Sequence, residues 1–104
     1  MSAALLHAVA TPRRQAILRL VWSAERTAGD IASAMPDVTF SAVSQHLRVL
    51  RNAGVVEQRR DGKYRLYAVR RAALGSLADF LEAQWRTDLD RLKALAEAEE
   101  QFNA

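Results

Sequence analysis

The segment from Thr39 to Gly54 shows the clearest pattern of apolar and polar positions in the chain. Val43, Leu47 and Leu50 recur at spacings of four and three residues, so the pattern predicts a helix with one buried face. The other face carries polar or basic residues and no acidic ones: Ser41, Ser44, Gln45 and Arg48. Short donors and acceptors at helical spacing are typical of a helix that reads base edges in the DNA major groove.

A shorter helix is predicted just before this one. Residues 27–30, Thr-Ala-Gly-Asp, form a capping box with Asp in place of Glu, which starts a helix that runs to about Met35. Ile31 and Met35 are expected to face the core. Pro36 ends this helix because proline cannot continue the hydrogen-bond ladder, and Thr39 caps the next helix. Two short helices joined by such a turn predict a helix-turn-helix.

Two further helices are predicted in the N-terminal part. Residues 3–10 form a helix too short to be stable alone, so it must pack on another element. Thr11 and Pro12 suit the N-cap and the first position of a helix that runs to about Ser23. Its apolar side is predicted to contain Ala16, Ile17, Leu20 and Val21.

Two arginines, Arg13 and Arg14, lie in the first turn of that second helix, where positive charge opposes the helix dipole. The sequence leaves two explanations open. Either a phosphate approaches this end of the helix, or the arginines belong to a solvated basic face.

A β-hairpin is predicted after the helix-turn-helix. Residues 55–60 and 63–69 read as strands, and Asp61-Gly62 reads as the two-residue turn between them. Basic residues surround the tip, which is the composition of a wing that contacts DNA. Leu66 and Val69 support opposite registers, so the sequence does not decide whether Tyr64 or Tyr67 faces inward.

The pattern returns to helix at about Ala72 and stays helical to the end of the chain. An apolar stripe runs along this helix at steps of three and four: Leu74, Leu77, Leu81, Trp85, Leu89, Leu92 and Ala96. A domain this small has no core that could cover such a stripe, so we expect a homodimer in which a second copy covers it. The predicted interface consists of residues of the first and last helices: Leu5, Leu6, Val9, Leu74, Leu77, Leu81, Trp85, Leu89 and Leu92.

Chain length and charge distribution refine this picture. A chain of 104 residues predicts a single domain over 1–104, with a DNA-binding core at about 11–70 and dimerisation helices at about 3–10 and 72–100. Residues 48–71 contain eight basic residues against two acidic ones, whereas the residues from 72 onward contain three against seven. A basic middle predicts contacts with double-stranded DNA. The candidate phosphate-binding residues are Thr39, Arg48, Arg51, Arg59, Arg60, Lys63 and Arg65.

Several function classes find no support in the sequence. There is no cysteine, and no nucleophile-base pair, phosphate loop or metal cluster with usable spacing, so we expect neither an enzyme nor a cofactor nor a metal site. His46 is interpreted as structural or as a phosphate donor, and His7 with carboxylates of the last helix is a weaker metal alternative. No signal peptide or membrane-spanning stretch is recognisable, which favours a cytoplasmic protein with no membrane contact.

Three motifs resemble the ArsR/SmtB family of bacterial winged-helix transcriptional repressors, over roughly residues 5–95. A-T-P-R-R-Q-A-I-L at 10–18 is similar to the family's opening motif, and R-R-D-G-K at 59–63 is similar to its wing. A-V-S-Q-H-L-R-V-L-R-N-A-G-V-V at 42–56 is very similar to its recognition-helix signature. The resemblance implies a mainly α winged helix-turn-helix with a small β-hairpin, in the order α-α-α-α-β-β-α, whose first and last helices form the dimer interface.

The resemblance also implies a homodimer that represses from a palindromic operator. By motif position, its base-reading residues are Phe40, Ser41, Ser44 and Gln45. Many family members carry glutamine at the position of Phe40. This aromatic residue has two interpretations: it contacts a thymine methyl group, or it packs against the hairpin.

Many members of that family respond to metals, through thiolates in the helix that opens the helix-turn-helix or through histidines on the last helix. This chain has no sulfur ligand in residues 27–30 and no histidine after His46. The resemblance is therefore to the family's non-metal branch, in which an organic ligand, a partner protein or autoregulation alone relieves repression.

An alternative from another class is a winged-helix module that binds protein and not sequence-specific DNA. The long apolar stripe and the acidic last helix fit this alternative equally well. The basic excess in residues 48–71, beside Ser41 and Gln45, favours DNA.

Overall fold

The computed structural model describes residues 2–103, except for the side chain of Asn103. The elements are α1 (Ala3–Val9), α2 (Pro12–Leu20), β1 (Arg26–Thr27), α3 (Ala28–Ser33), α4 (Phe40–Asn52), β2 (Val56–Asp61), β3 (Tyr64–Val69), α5 (Arg71–Leu74) and α6 (Ser76–Asn103). They form two compact units, one that ends at Leu74 and one that begins at Gly75. The predicted fold class, mainly helical with a small β-hairpin, is confirmed.

The core of the first unit is built from the helix-turn-helix and α2. Val43, Leu47 and Leu50 of α4 expose at most 1% of their surface, and Ile31 of α3 is buried equally well. Met35, just beyond the end of α3, is buried too. The inward faces predicted for both helices are therefore confirmed, and the polar face of α4 is the side left for a partner.

The predicted apolar side of α2 is partly wrong. Ile17, Leu18 and Val21 are buried, whereas Ala16 is exposed. The core-facing positions follow the helical spacing 14, 17, 18 and 21, so the first of them is Arg14, which is only 8% exposed. The prediction considered apolar residues alone and therefore missed the buried arginine. For this reason the predicted core-facing side of α2 was rotated from the observed one.

Hydroxyl side chains cap α1, α2, α3 and α4, as the sequence predicts for the last three. Thr11 and Thr39 accept hydrogen bonds from backbone amides three residues ahead, at 3.3 and 3.1 Å. Thr27 and Asp30 form the reciprocal capping box, with distances of 3.0 and 3.4 Å. Each such cap stabilises its helix by about 1 kcal/mol, which fixes where α4 begins.

The sheet contains one strand more than predicted. The two-residue strand β1 pairs antiparallel with β3, with Arg26 opposite Tyr67, and the strand order is β1-β3-β2. Residues 23–26, Ser-Ala-Glu-Arg, have the mostly polar composition of a turn. A strand this short has no alternating pattern of its own, and only its pairing with β3 defines it.

The wing turn lies one residue later than predicted. Asp61 still pairs with Tyr64, so the two central turn residues are Gly62 and Lys63. Gly62 has a φ of 60°, and no described non-glycine residue has a positive φ. Positive φ at the first central position alone is the pattern of a type II′ turn, which places glycine there and so shifts the hairpin by one residue.

The second unit consists of α6, a helix of 28 residues. The predicted continuous helix from about Ala72 is wrong at one point, because Gly75 with a φ of 55° separates α5 from α6. At about 1.5 Å per residue, α6 is roughly 42 Å long. None of the described helices combines the length and the apolar character needed to cross a membrane.

The residues predicted for the dimer interface differ in exposure within the single chain. Leu5, Val9, Leu74 and Leu81 are buried, and Leu77 and Trp85 are half-buried. Leu6, Leu89 and Leu92 are exposed. The four buried residues have little surface left within the chain, and the interface with a second copy stays a prediction.

Candidate nucleic-acid interface

The outer face of α4 presents the predicted base-reading residues. Ser41, Ser44 and Gln45 are exposed on the side opposite the buried Val43 and Leu47. Phe40 precedes them and is 59% exposed. The Phe40 ring is therefore accessible at the start of the helix, which favours a contact with DNA over packing against the hairpin.

Thr39 lies at the N-cap of the same helix. Its hydroxyl oxygen accepts the amide of Ala42 at 3.1 Å, so its hydroxyl proton remains free to be donated. The N-terminus of a helix also favours a nearby anion, because backbone amides and the helix dipole point toward it. Thr39 is therefore placed at a point that suits a phosphate oxygen.

A chain of hydrogen bonds connects α4 to the wing. Arg51 Nη1 donates to Gln58 Oε1 at 3.0 Å, and Gln58 Nε2 donates to the hydroxyl of Tyr67 at 2.7 Å. Both ends of the Gln58 amide are engaged, which fixes its orientation. Sequence reasoning missed Gln58 and Tyr67, because their partnership depends on the β2-β3 register that brings them opposite each other. Tyr67 is the half-buried tyrosine, and Tyr64 is exposed.

A cleft opens between α4 and the wing, with a volume of about 210 Å³. None of its lining residues is acidic, and three of them are arginines: Ser44, Leu47, Arg48, Arg51, Gln58, Arg65 and Tyr67. Within residues 2–103, neither Arg48 nor Arg65 forms an ion pair. The cleft therefore joins the predicted base-reading face to a group of uncompensated positive charges.

Positively charged side chains lie close together on the wing. Arg60 and Arg65 lie directly opposite each other on adjacent strands, an arrangement that is destabilising unless an anion compensates it. At the tip, Lys63 Nζ lies 5.3 Å from the centre of the Tyr64 ring, a cation-π contact that leaves the charge accessible. Both features suit a strip of DNA phosphates.

Arg59, also predicted to bind phosphate, is engaged elsewhere. Its Nε and Nη2 donate to both oxygens of Glu25, at 2.6 and 3.0 Å. Adjacent strand residues point to opposite faces, so Arg59 shares a face with Leu66 and not with Arg60. The hydrogen bond from Arg59 holds the pKa of Glu25 below its ordinary value.

Arg14 and Arg13 have partners that explain their place at the start of α2. The guanidinium of Arg14 donates to the backbone carbonyls of Ala8 and His7 at the end of α1. Carbonyls at a helix C-terminus are natural partners of a cation. Arg13 pairs with Asp37 at 3.3 Å. Neither of the two explanations left open by the sequence, a phosphate or a solvated face, accounts for Arg14.

His46 belongs to this structural contact and not to the outer face of α4. Its Nδ1 lies 3.5 Å from Arg14 Nη1. Burial lowers the pKa of His46, and the charges of Arg14 and Arg13 lower it further. In the described part of the chain, no group of three or more His, Cys, Asp or Glu residues is placed to hold a metal ion.

Comparison with known proteins identifies the relatives of this chain. The family model described as "Bacterial regulatory protein, arsR family" matches residues 11–58, from the cap of α2 into β2. The HTH-type transcriptional regulator YgaV of Escherichia coli is 30% identical over 76 residues, which cover 73% of this chain and 77% of YgaV. The chain belongs to the ArsR family.

Two further relatives extend the comparison. The transcriptional repressor SdpR of Bacillus subtilis is 33% identical over 67 residues, covering 64% of this chain and 73% of SdpR. The uncharacterised regulator Rv0081 of Mycobacterium tuberculosis is 38% identical over 69 residues, and the match spans 66% of this chain but only 60% of Rv0081. The crystal structure of Rv0081 superposes with a TM-score of 0.68, covering 86% of this chain and 91% of that one.

The ArsR assignment confirms the predicted family and its winged helix-turn-helix fold. Relatives with this domain are named as transcriptional regulators, which places the chain in a family of DNA-binding regulators and not of enzymes. The DNA-binding helix-turn-helix of this ArsR chain consists of α3 and α4.

Proposed function

We propose that this ArsR-family protein is a homodimeric repressor that binds a palindromic operator in a sequence-specific manner. The observation that carries the proposal is the exposed row Ser41, Ser44 and Gln45 on α4, next to a cleft and a wing with uncompensated arginines. The name of SdpR supports the repressor role, because that relative is a transcriptional repressor. Because its partner is the bacterial chromosome, we place its action in the cytoplasm.

The proposal divides the contacts into base readers and phosphate binders. Gln45 is suited to a bidentate contact with adenine, Ser41 and Ser44 to single hydrogen bonds, and Phe40 to a thymine methyl group. Most of the affinity comes from phosphates bound by Thr39, Arg48, Arg51, Arg60, Lys63 and Arg65. With roughly six to ten phosphates neutralised per dimer, affinity falls by about 10³ or more between 50 and 200 mM salt.

Dimerisation is supported by the apolar surface of α6. Leu89, Leu92 and Leu95 expose 47%, 63% and 68% of their surface, at helical steps of three residues. A solvent-exposed row of leucines is unfavourable for a monomer, and a second copy of the same helix covers it with two-fold symmetry. Two-fold symmetry in the protein matches a palindrome in the DNA.

No cofactor enters this proposal. Release from the operator is assigned to an organic ligand, a partner protein or autoregulation, in keeping with the absence of cysteine from the chain.

The experiment for base reading compares Gln45→Ala with Arg60→Ala on an operator selected from random duplexes. Dissociation constants are measured for the operator and for every single-base substitution in it. We expect Gln45→Ala to lose roughly 1 to 3 kcal/mol and to become indifferent to one base pair per half-site. Arg60→Ala should weaken all duplexes alike. Equal loss on every sequence with Gln45→Ala would refute the assignment of Gln45.

The second candidate function is a winged-helix module that binds protein and not specific DNA. The exposed leucines of α6 and its acidic residues favour it as much as they favour a dimer. Heparin retention and the salt dependence of duplex binding separate the two functions. A protein-binding module shows neither, whereas the proposed repressor shows both.

A further inference from the structure

The cleft between α4 and the wing is lined by groups that donate hydrogen bonds. Arg48, Arg51 and Arg65 each carry five N–H donors and no acceptor. Within the part of the chain that the structure describes, Arg51 uses one donor, in its bond to Gln58. No lining residue is a carboxylate. The lining is therefore chemically complementary to an oxyanion.

The hydrogen bonds among Arg51, Gln58 and Tyr67 leave further donors available in the cleft and hold them in place. Gln58 donates to the Tyr67 oxygen, so the Tyr67 hydroxyl proton is free to be donated to a different acceptor. Gln58 also holds Arg51 through its Oε1, which limits the motion of that guanidinium. Donors that are held in place before binding lose less conformational entropy when a ligand arrives.

The cleft is large enough for a phosphate group. Its volume of about 210 Å³ is far above the roughly 10 to 15 Å³ that one water molecule needs on the same measure. One phosphate with accompanying waters therefore has room in it. The cleft reaches Ser44 on the outer face of α4, so a phosphate in it lies next to the bases that α4 reads.

We propose that this cleft is a binding pocket for one phosphate group of the DNA backbone in each half-site. Arg48, Arg51 and Arg65 bind its oxygens, and Gln58 is a positioning residue that acts through Arg51. This inference deepens the proposed repressor function and rests on it for the source of the phosphate. The pocket itself is tested without DNA.

The first experiment titrates the full-length protein with inorganic phosphate at constant ionic strength, with chloride as the reference salt. Arginine Nε–Hε signals are followed by NMR. We expect saturable shifts for Arg48, Arg51 and Arg65, and no saturable shift for Arg91 on α6. Shifts of equal size at all exposed arginines, or no saturation, would overturn the pocket whatever the protein does with DNA.

The second experiment identifies the phosphate in the DNA. Operator phosphates are replaced one at a time by uncharged methylphosphonates. We expect one position per half-site to lose roughly 10- to 100-fold in affinity with the wild-type protein. That loss should disappear in Arg65→Gln and remain in the charge-matched control Lys93→Gln. A loss spread evenly over all positions would contradict a discrete pocket.

The positioning role of Gln58 can be measured separately from the effect of the arginine charges. Gln58→Leu retains every arginine, so the salt dependence of DNA binding should stay unchanged. The penalty at the methylphosphonate position should nevertheless shrink at least several-fold, because Arg51 is no longer held. An unchanged penalty would remove Gln58 from the pocket.

A competition experiment between inorganic phosphate and DNA decides whether the phosphate bound in the cleft belongs to DNA or to a free phosphate compound. At fixed ionic strength, the apparent dissociation constant for DNA should rise in proportion to inorganic phosphate concentration, and Arg65→Gln should abolish this rise. Simultaneous binding of phosphate and DNA would overturn the DNA assignment. A protein that binds phosphate here yet shows no operator preference would refute the proposed repressor and leave the pocket intact.

Discussion

Arg14 Nη1 lies 3.5 Å from Nδ1 of His46, and this contact links α2 to the recognition helix α4. Arginine has no acceptor, so a hydrogen bond at this contact requires His46 to accept at Nδ1 and to carry its proton on Nε2. The same guanidinium donates to the carbonyls of His7 and Ala8 at the end of α1. One buried cation therefore ties together three helices, including the one assigned to base reading.

Replacing Arg14 with methionine should destabilise the fold. The change leaves the carbonyls of His7 and Ala8 without their donor and removes a charge-assisted hydrogen bond, for a loss of about 2 to 3 kcal/mol in the free energy of unfolding. Urea unfolding followed by circular dichroism measures it. Arg13→Met is the matched control, because the exposed pair of Arg13 and Asp37 is worth at most about 1 kcal/mol. Equal losses in both variants would contradict the role of Arg14.

Stability should also depend on pH through His46. Burial and the charges of Arg14 and Arg13 lower its pKa from 6.5, so the folded state favours the neutral ring. The unfolded histidine binds a proton at higher pH than the folded one, and stability present above pH 6.5 is lost as the pH falls through the lowered pKa.

The measurement is the urea midpoint between pH 7.5 and 5.5. It should fall as the pH decreases in the wild-type protein, and the fall should be smaller in His46→Gln. His7→Gln is the control and should retain the wild-type dependence. A slope unaffected by His46→Gln would show that another group is responsible.

Neutralising Glu25 should strengthen DNA binding without regard to sequence. Glu25→Gln releases Arg59 from its ion pair. Because β2 is an edge strand, the freed side chain can swing around it from the Leu66 face to a phosphate, which adds one cation per subunit. The slope of log K against log salt should steepen by about 0.9 per subunit that gains a contact. Glu57→Gln makes the same charge change on the wing without freeing an arginine. If both variants gave the same slope, the pair would have no effect on DNA binding.

Charge on the exposed stripe of α6 should separate the subunits. Leu92 is 63% exposed, and Leu92→Glu places a carboxylate in the proposed seam. Sedimentation velocity should change from dimer to monomer, and operator affinity should fall by about 10² or more as the second half-site is lost. Ala94→Glu adds the same charge on the opposite side of the helix and should remain dimeric. A dimeric Leu92→Glu would place the interface elsewhere.

The sequence predicted the helix-turn-helix well because its signals are local. Caps at Thr27 and Thr39, a proline stop and the leucine spacing of α4 all act within a few residues. Arg14 was missed as a core residue because its burial depends on carbonyls of another helix. The pairing of Arg59 with Glu25 and the Arg51-Gln58-Tyr67 chain depend on strand register, which no local pattern contains.

The most direct test of the central claim is the affinity of the protein for its palindrome as a function of half-site spacing. Two recognition helices in a two-fold dimer require half-sites about one helical turn apart, roughly 34 Å. Inserting five base pairs at the centre rotates one half-site by about half a turn. A dimeric, sequence-specific repressor predicts that this insertion reduces affinity to the level of a scrambled duplex. Equal affinity for the palindrome, the insertion and the scrambled duplex would contradict it.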